Sequence, residues 1–219
     1  DQVEPLTNYG VLRARRDFRS GATTLGFTAT SVNRRIDDAR LDFLRSSAYA
    51  GGVDFHHRFP GNRFMGFATV GYSYIGGDTL AIQVAQRSSA RYFQRPDADY
   101  LSYDPARRSL AGWNAAAGMS EEAGATKFGL GVQATSPGFE INDLGYQSRS
   151  DRMTATGRAV RLWTRPNRVF RMAQLQAMTS AGWNFGGNRT STSANVNAYG
   201  QFVNFWNING GLSGSLRST

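Results

Sequence analysis

Few side chains in this sequence could do chemistry. The two histidines, His56 and His57, are adjacent. On an extended strand neighbours point to opposite faces, so the two cannot hold one metal ion together. His56 shares a face with Asp54 and fits a polar wall pair. Carboxylates come in pairs at Glu121/Glu122, Asp37/Asp38 and Asp97/Asp99. Acid–base work needs one member of such a pair desolvated in a cleft, whereas these sit where turns and loops are expected, the Glu pair as a solvated hairpin end. There is no cysteine, no Gly-Lys-Ser/Thr phosphate loop, no G-x-S-x-G elbow and no G-x-G-x-x-G opening a helix. The expectation is a protein with no catalytic residue, no metal and no cofactor, hence not an enzyme.

The basic residues are 24 arginines and Lys127, giving a formal net charge of +9. They are scattered through every segment: Arg13, Arg15 and Asp17 share one face, and Arg158 lies on another run. Nucleic-acid binding needs a continuous basic stripe with stacking aromatics, and none emerges, so no nucleic-acid partner is expected. Arginines along a wall would pair with carboxylates or favour anions in a pore, and those in outer loops would meet anionic outer-leaflet lipids. A soluble basic β-sandwich that binds polyanions is a weaker alternative.

The elements that must position these residues follow from period-two alternation. Residues Ile208, Gly210, Leu212, Gly214 and Leu216 fall on one face, opposite Asn207, Asn209, Gly211, Ser213 and Ser215. Phe128, Leu130, Val132 and Ala134 oppose Lys127, Gly129, Gln133 and Thr135 in the same way. About ten such runs occur, near 8–18, 22–32, 47–59, 62–74, 109–119, 126–135, 152–163, 170–184, 194–203 and 206–217. Several reach the roughly 9–11 residues that a tilted strand needs to cross a bilayer. Short links alternate with long ones near 33–46, 75–108, 136–151 and 185–193, the order of an up-and-down barrel. The fold class expected is all-β, an antiparallel up-and-down transmembrane β-barrel of about ten strands in residues 1–219.

Roles follow from that placement. Arg13, Arg15, Asp54, His56, Gln174, Gln176, Asn197 and Gln201 are expected to line the lumen. Tyr72, Tyr74, Trp163, Trp183 and Trp206 sit near run ends, where a membrane interface would hold them. Loop 75–108 is long and aromatic enough to fold inward or over the mouth, with loop 136–151 as its nearest partner. Arg91, Tyr92, Phe93, Arg95, Asp97, Phe139, Glu140 and Asp143 would form a constriction or touch a ligand there.

Ten runs with a short first link put both ends on the long-loop side, and the last residues, Leu216-Arg217-Ser218-Thr219, lack the terminal aromatic with which such barrels close, so the segment is expected to be an internal slice of a longer barrel. Three stretches carry a family resemblance: Arg45-Ser46-Ser47-Ala48-Tyr49-Ala50-Gly51-Gly52-Val53-Asp54-Phe55, Gln86-Arg87-Ser88-Ser89-Ala90-Arg91-Tyr92-Phe93-Gln94-Arg95-Pro96-Asp97, and Ser136-Pro137-Gly138-Phe139-Glu140-Ile141-Asn142-Asp143-Leu144-Gly145-Tyr146. The chain resembles the C-terminal barrel, itself of unknown function, of bacterial outer-membrane proteins that begin with a sandwich similar to family-9 carbohydrate-binding modules. The resemblance implies a bacterial outer-membrane location and an upstream carbohydrate-binding-like domain. It implies no catalytic residues. The expected partners are the bilayer, that upstream domain and a possible protein partner in a larger assembly. The expected function is passage or surface capture of a solute, a saccharide by analogy. The alternative is a plugged barrel that anchors a partner or domain.

Overall fold

The structure is a computed structural model that describes residues 4–96 and 98–217. Ten strands follow the alternation: β1 (Leu6–Phe18), β2 (Thr23–Arg35), β3 (Arg45–Arg58), β4 (Phe64–Gly77), β5 (Ser109–Glu121), β6 (Thr126–Thr135), β7 (Arg152–Trp163), β8 (Phe170–Trp183), β9 (Arg189–Phe202) and β10 (Asn207–Arg217). Each pairs with its chain neighbours in the order β1 to β10, and the sheet is not closed. The fold shown is therefore an all-β, antiparallel, up-and-down ten-stranded sheet.

The turns set the register. Between β1 and β2, Arg19, Ser20 and Gly21 all take positive φ, and the Gly21 N–H donates to the Phe18 carbonyl at 3.1 Å. This locks Phe18 opposite Thr23 and carries the pairing up to Leu6 opposite Arg35. Between β7 and β8 the Asn167 side chain accepts from the N–H groups of Val169 and Phe170, at 2.8 and 2.7 Å, as turn asparagines do. Two sequence expectations change here. The 185–193 link shrinks to a turn closed by Asn184, whose Oδ1 accepts from the Asn188 N–H at 2.8 Å, so β9 starts earlier, at Arg189. Glu121 is buried rather than a solvated hairpin end, because Arg63 folds over it at 2.7 Å.

The chain divides into two compact units. The first comprises residues 1–55, 69–115 and 134–152; the second comprises 56–68, 116–133 and 153–219.

The first unit holds the hydrophobic core. Inside the 75–108 stretch, expected as a loop, lies helix α1 (Thr79–Arg87). Ala81, Ile82, Ala85 and Gln86 form its buried face, the i, i+1, i+4 spacing of a helix packed on one side. Asp78 caps it by accepting from the Leu80 N–H at 3.1 Å. Ile82 and Ala85 pack with Phe93 against Val32, Ala48, Ile75 and Leu110 of the strands. The Gln86 amide is fully buried yet satisfied: it donates to the Asp104 carbonyl and accepts from the Asp104 N–H, both at 2.9 Å.

In the second unit the faces of β8, β9 and β10 separate cleanly. Register places Gln174 beside Tyr199 and Gln176 beside Asn197, with Asn197 beside Gly211. On the other face Leu175 meets Ala198, and Val196 meets both Ala177 and Leu212. Leu130 and Leu212 stand 70% and 83% exposed, uncovered by any described layer.

Candidate functional site

The densest polar cluster lies in the first unit, where residues 136–151 fold down onto the sheet. Ser136 starts the descent: its N–H donates to the Trp113 carbonyl at 2.9 Å, and its Oγ accepts from the Trp113 N–H at 2.8 Å. The chain then crosses β5 at Gly112, where any Cβ would overlap the Phe139 backbone nitrogen. Farther on, the Glu140 N–H donates to Ser73 Oγ on β4 at 2.8 Å. Asp143 completes the crossing by accepting from Arg34 of β2 at 2.7 Å and Arg45 of β3 at 2.6 Å.

The loop thus lies on the polar face of the sheet. Its Phe139, Ile141 and Leu144 share a cavity of about 210 Å³ with Thr28, Thr30 and Asn114. Thr28 Oγ1 in turn accepts from Arg13 at 2.6 Å, and Arg13 pairs with Asp54. The cavity offers hydroxyl and amide groups on one wall and apolar side chains on the other.

Electrostatically the loop is held by a chain of ion pairs. Arg34 and Arg45 share Asp143; Arg45 also reaches Glu140 at 3.3 Å, and Glu140 pairs with Arg91 at 2.6 Å. Three guanidinium groups thus face two carboxylates. Arg91 and Glu140 are almost wholly enclosed, and burial pulls the Arg91 guanidinium below its ordinary range while Glu140 opposes that shift. Arg91 also donates to the Phe139 carbonyl, but its Nε has no partner among the described residues. Nearby, Asp151 accepts from Arg95 at 2.8 Å and from the Tyr100 hydroxyl. Ser150 donates through both N–H and Oγ to the Ala90 carbonyl, at 2.9 and 3.0 Å.

Of the residues expected at a constriction, the structure brings Arg91, Phe93, Arg95, Phe139, Glu140 and Asp143 into this loop layer. Arg91, Phe93, Phe139 and Glu140 are buried within it. Their contacts tie 75–108 to 136–151, and of these residues Phe139 lines the cavity. Tyr92 is exposed, with a positive φ of 49°, and Asp97 lies outside the described residues.

The expected lumen residues take several positions. Arg13 meets Asp54, and Arg15 lies 3.6 Å from Asp17. In the second unit His56 stacks on Phe67 at 6.3 Å. Gln174 hydrogen-bonds Gln176 at 3.5 Å; Asn197 donates to Asn195, and Gln201 to Asn207 at 3.2 Å. Among the interfacial aromatics, Tyr72, Tyr74, Trp163 and Trp206 are exposed and Trp183 is half-buried.

Sequence reasoning did not single out Arg34 and Arg45 as partners of Asp143, nor Thr28, Thr30 and Asn114 as cavity walls. The available signal was two carboxylates three residues apart in a loop that must be neutralised by arginines at strand ends. Among the described residues no group of three or more His, Asp or Glu is placed to hold a metal ion.

No curated protein matches this chain, and no solved structure does. A family model described as a domain of unknown function, DUF5916, matches residues 1–219. With every residue of the chain inside that match, the chain belongs to the DUF5916 family.

Proposed function

We propose that this chain forms wall strands of a β-barrel in the bacterial outer membrane, and that it passes or captures a solute through the face crossed by loop 136–151. The observation that carries this proposal is which face is covered. In the first unit helix α1 and the loop lie on the face of Thr28, Thr30 and Val32. The opposite face, with Leu25, Phe27, Val53, Phe55 and Val70, stands exposed. In the second unit Phe128, Leu130, Val132, Leu175, Val196, Ile208 and Leu212 are exposed as well.

A side chain left wholly in water forgoes about 1.5–3 kcal/mol of burial, and these twelve are on average about half exposed. Together they forgo on the order of 10–20 kcal/mol, a deficit as large as a domain's whole stability. Hydrocarbon solvent removes it, and soluble monomers seldom expose apolar patches of that extent. No helix among the described residues is long and apolar enough to cross a membrane; a closed barrel of strands is the other structure that spans one.

The solute class that suits the cavity is small, polar and hydroxylated, in keeping with the saccharide expected by analogy. A second reading, a plugged barrel that anchors a partner or an upstream carbohydrate-binding-like domain, draws on the enclosed Arg91–Glu140 pair, which fixes the loops rigidly. Conductance of the full-length protein in planar bilayers separates the two. Passage gives steady single-channel steps that added saccharide attenuates; a plugged anchor gives none. Recovery of the protein in a detergent-free soluble fraction would refute both.

A further inference from the structure

The second unit carries a groove of about 500 Å³ on the apolar face of β7–β10. Its floor is made of small residues, Ala173, Ala198, Gly200 and Gly210, and its walls are Trp163, Phe170, Leu175 and Ile208. The floor is low because the chain keeps it so: a Cβ at Gly200 would come within 2.8 Å of the Phe170 ring, which stacks on Phe202 at 4.8 Å. The volume lies within the roughly 300–1,000 Å³ typical of ligand sites, and the lining is almost wholly apolar.

The charge around it is one-sided. From residue 153 to 219 the sequence contains no aspartate or glutamate but seven arginines, at 158, 161, 165, 168, 171, 189 and 217. Two belong to the groove's surroundings. Arg161 stands opposite Leu175 in the β7–β8 ladder, spreads over the Trp163 ring at 5.7 Å and donates to Thr126 Oγ1 of β6 at 2.5 Å. Arg171, at the bulge between Phe170 and Met172, lies 4.0 Å over the Phe205 ring. Arg165 and Arg168 are exposed in the link between β7 and β8. No carboxylate neutralises any of these four among the described residues. Guanidinium groups held by aromatic faces beside an apolar trough match a molecule that is a hydrocarbon chain at one end and a phosphate at the other.

We propose that this groove is a site for one anionic phospholipid, its acyl chain along Ala173, Ala198, Gly200 and Gly210 and its phosphate at Arg171, beside the groove wall Phe170, with Arg161 adding positive charge on the β7 side. The site lies at the short-turn end of β7–β10, so the lipid belongs to the leaflet on that side. The inference rests on the membrane assignment above and adds to it a defined lipid and a defined place.

The test uses the full-length protein in an uncharged detergent, with thermal unfolding followed as lipid is added. Phosphatidylglycerol at about 100 times its dissociation constant should raise the midpoint by about 5 °C or more. Phosphatidylcholine and inorganic phosphate should not. Gly210→Leu fills the groove without strain, because nothing lies within 4 Å of a Cβ there. It should abolish the shift, as should Arg161→Gln with Arg171→Gln. Equal shifts with phosphatidylcholine or with phosphate alone, no shift at all, or a shift that survives both variants would overturn the site. A protein that partitions into membranes yet shows any of those outcomes refutes the lipid site alone. One that stays soluble without detergent refutes the membrane assignment.

Discussion

Arg91 and Glu140 meet at 2.6 Å with side chains 0% and 1% exposed, joining two loops that lie far apart in sequence. Removing one partner of such a pair strands a charge in the interior. Glu140→Gln should therefore destabilise the loop layer by about 3–5 kcal/mol, seen as a lower unfolding midpoint and faster proteolysis within 88–108. Replacing both residues together with Arg91→Met and Glu140→Leu should cost much less. Equal losses in the single and double variants would show that the pair is not what holds the loops.

How much of this was legible in the sequence depends on distance along the chain. All ten strands announce themselves, because alternation is local and each side chain's face is fixed by its neighbours. Helix α1 was hidden: Leu80, Ile82 and Val84 alternate like a strand fragment, while the residues that actually pack are Ala81, Ile82, Ala85 and Gln86. The helix is chosen by Asp78 at its cap and by Phe93 and Leu110 waiting to receive it, which are tertiary facts. The same holds for Asp143, whose partners Arg34 and Arg45 lie 109 and 98 residues away. Arginines are everywhere in this sequence, so only the strand order picks out these two.

Loop 136–151 should detach when its seat is filled. A Cβ at Gly112 collides with backbone, not with a flexible side chain that could swing aside, so Gly112→Val must push the loop off β5. If the loop narrows a passage, single-channel conductance rises in Gly112→Val and in Asp143→Asn, which loosens Arg34 and Arg45. Unchanged conductance in both would assign the loop no part in passage.

The Arg13–Asp54 pair faces the same side as the cavity, next to Thr28. Asp54→Asn leaves an unbalanced guanidinium there, and Arg13→Gln leaves an unbalanced carboxylate. Reversal potentials in a salt gradient should move toward anion preference in the first variant and toward cation preference in the second. Shifts of the same sign in both would place the pair away from the conducting path.

The cap of α1 makes that helix sensitive to acid. The Leu80 N–H, with help from the Thr79 hydroxyl, holds the Asp78 carboxyl below its usual range. A carboxyl lowered in the folded state contributes stability above its unfolded value and loses it as pH falls through the folded one. Amide protection factors within Thr79–Arg87, taken against the intrinsic exchange rate at each pH, should therefore fall below about pH 4. Asp78→Ala should show the low protection at neutral pH, and Asp78→Asn should keep most of the protection, without the acid dependence. Protection in the wild type that is flat across that range would remove Asp78 from the account of the helix.

The solvent of the apolar face can be read from a single charge. Leu130 lies mid-strand in β6 and is 70% exposed. An arginine on a lipid-facing strand costs about 2–4 kcal/mol near the middle of the bilayer and almost nothing at its edge. In water the same change at an exposed site stays within about 0.5 kcal/mol. Folding titrations of Leu130→Arg in lipid vesicles should accordingly show the larger loss, while Lys127→Arg, on the polar face of the same strand, shows almost none. Two near-neutral variants would mean that hydrocarbon does not cover Leu130, and the burial deficit on that face would have to be met by protein.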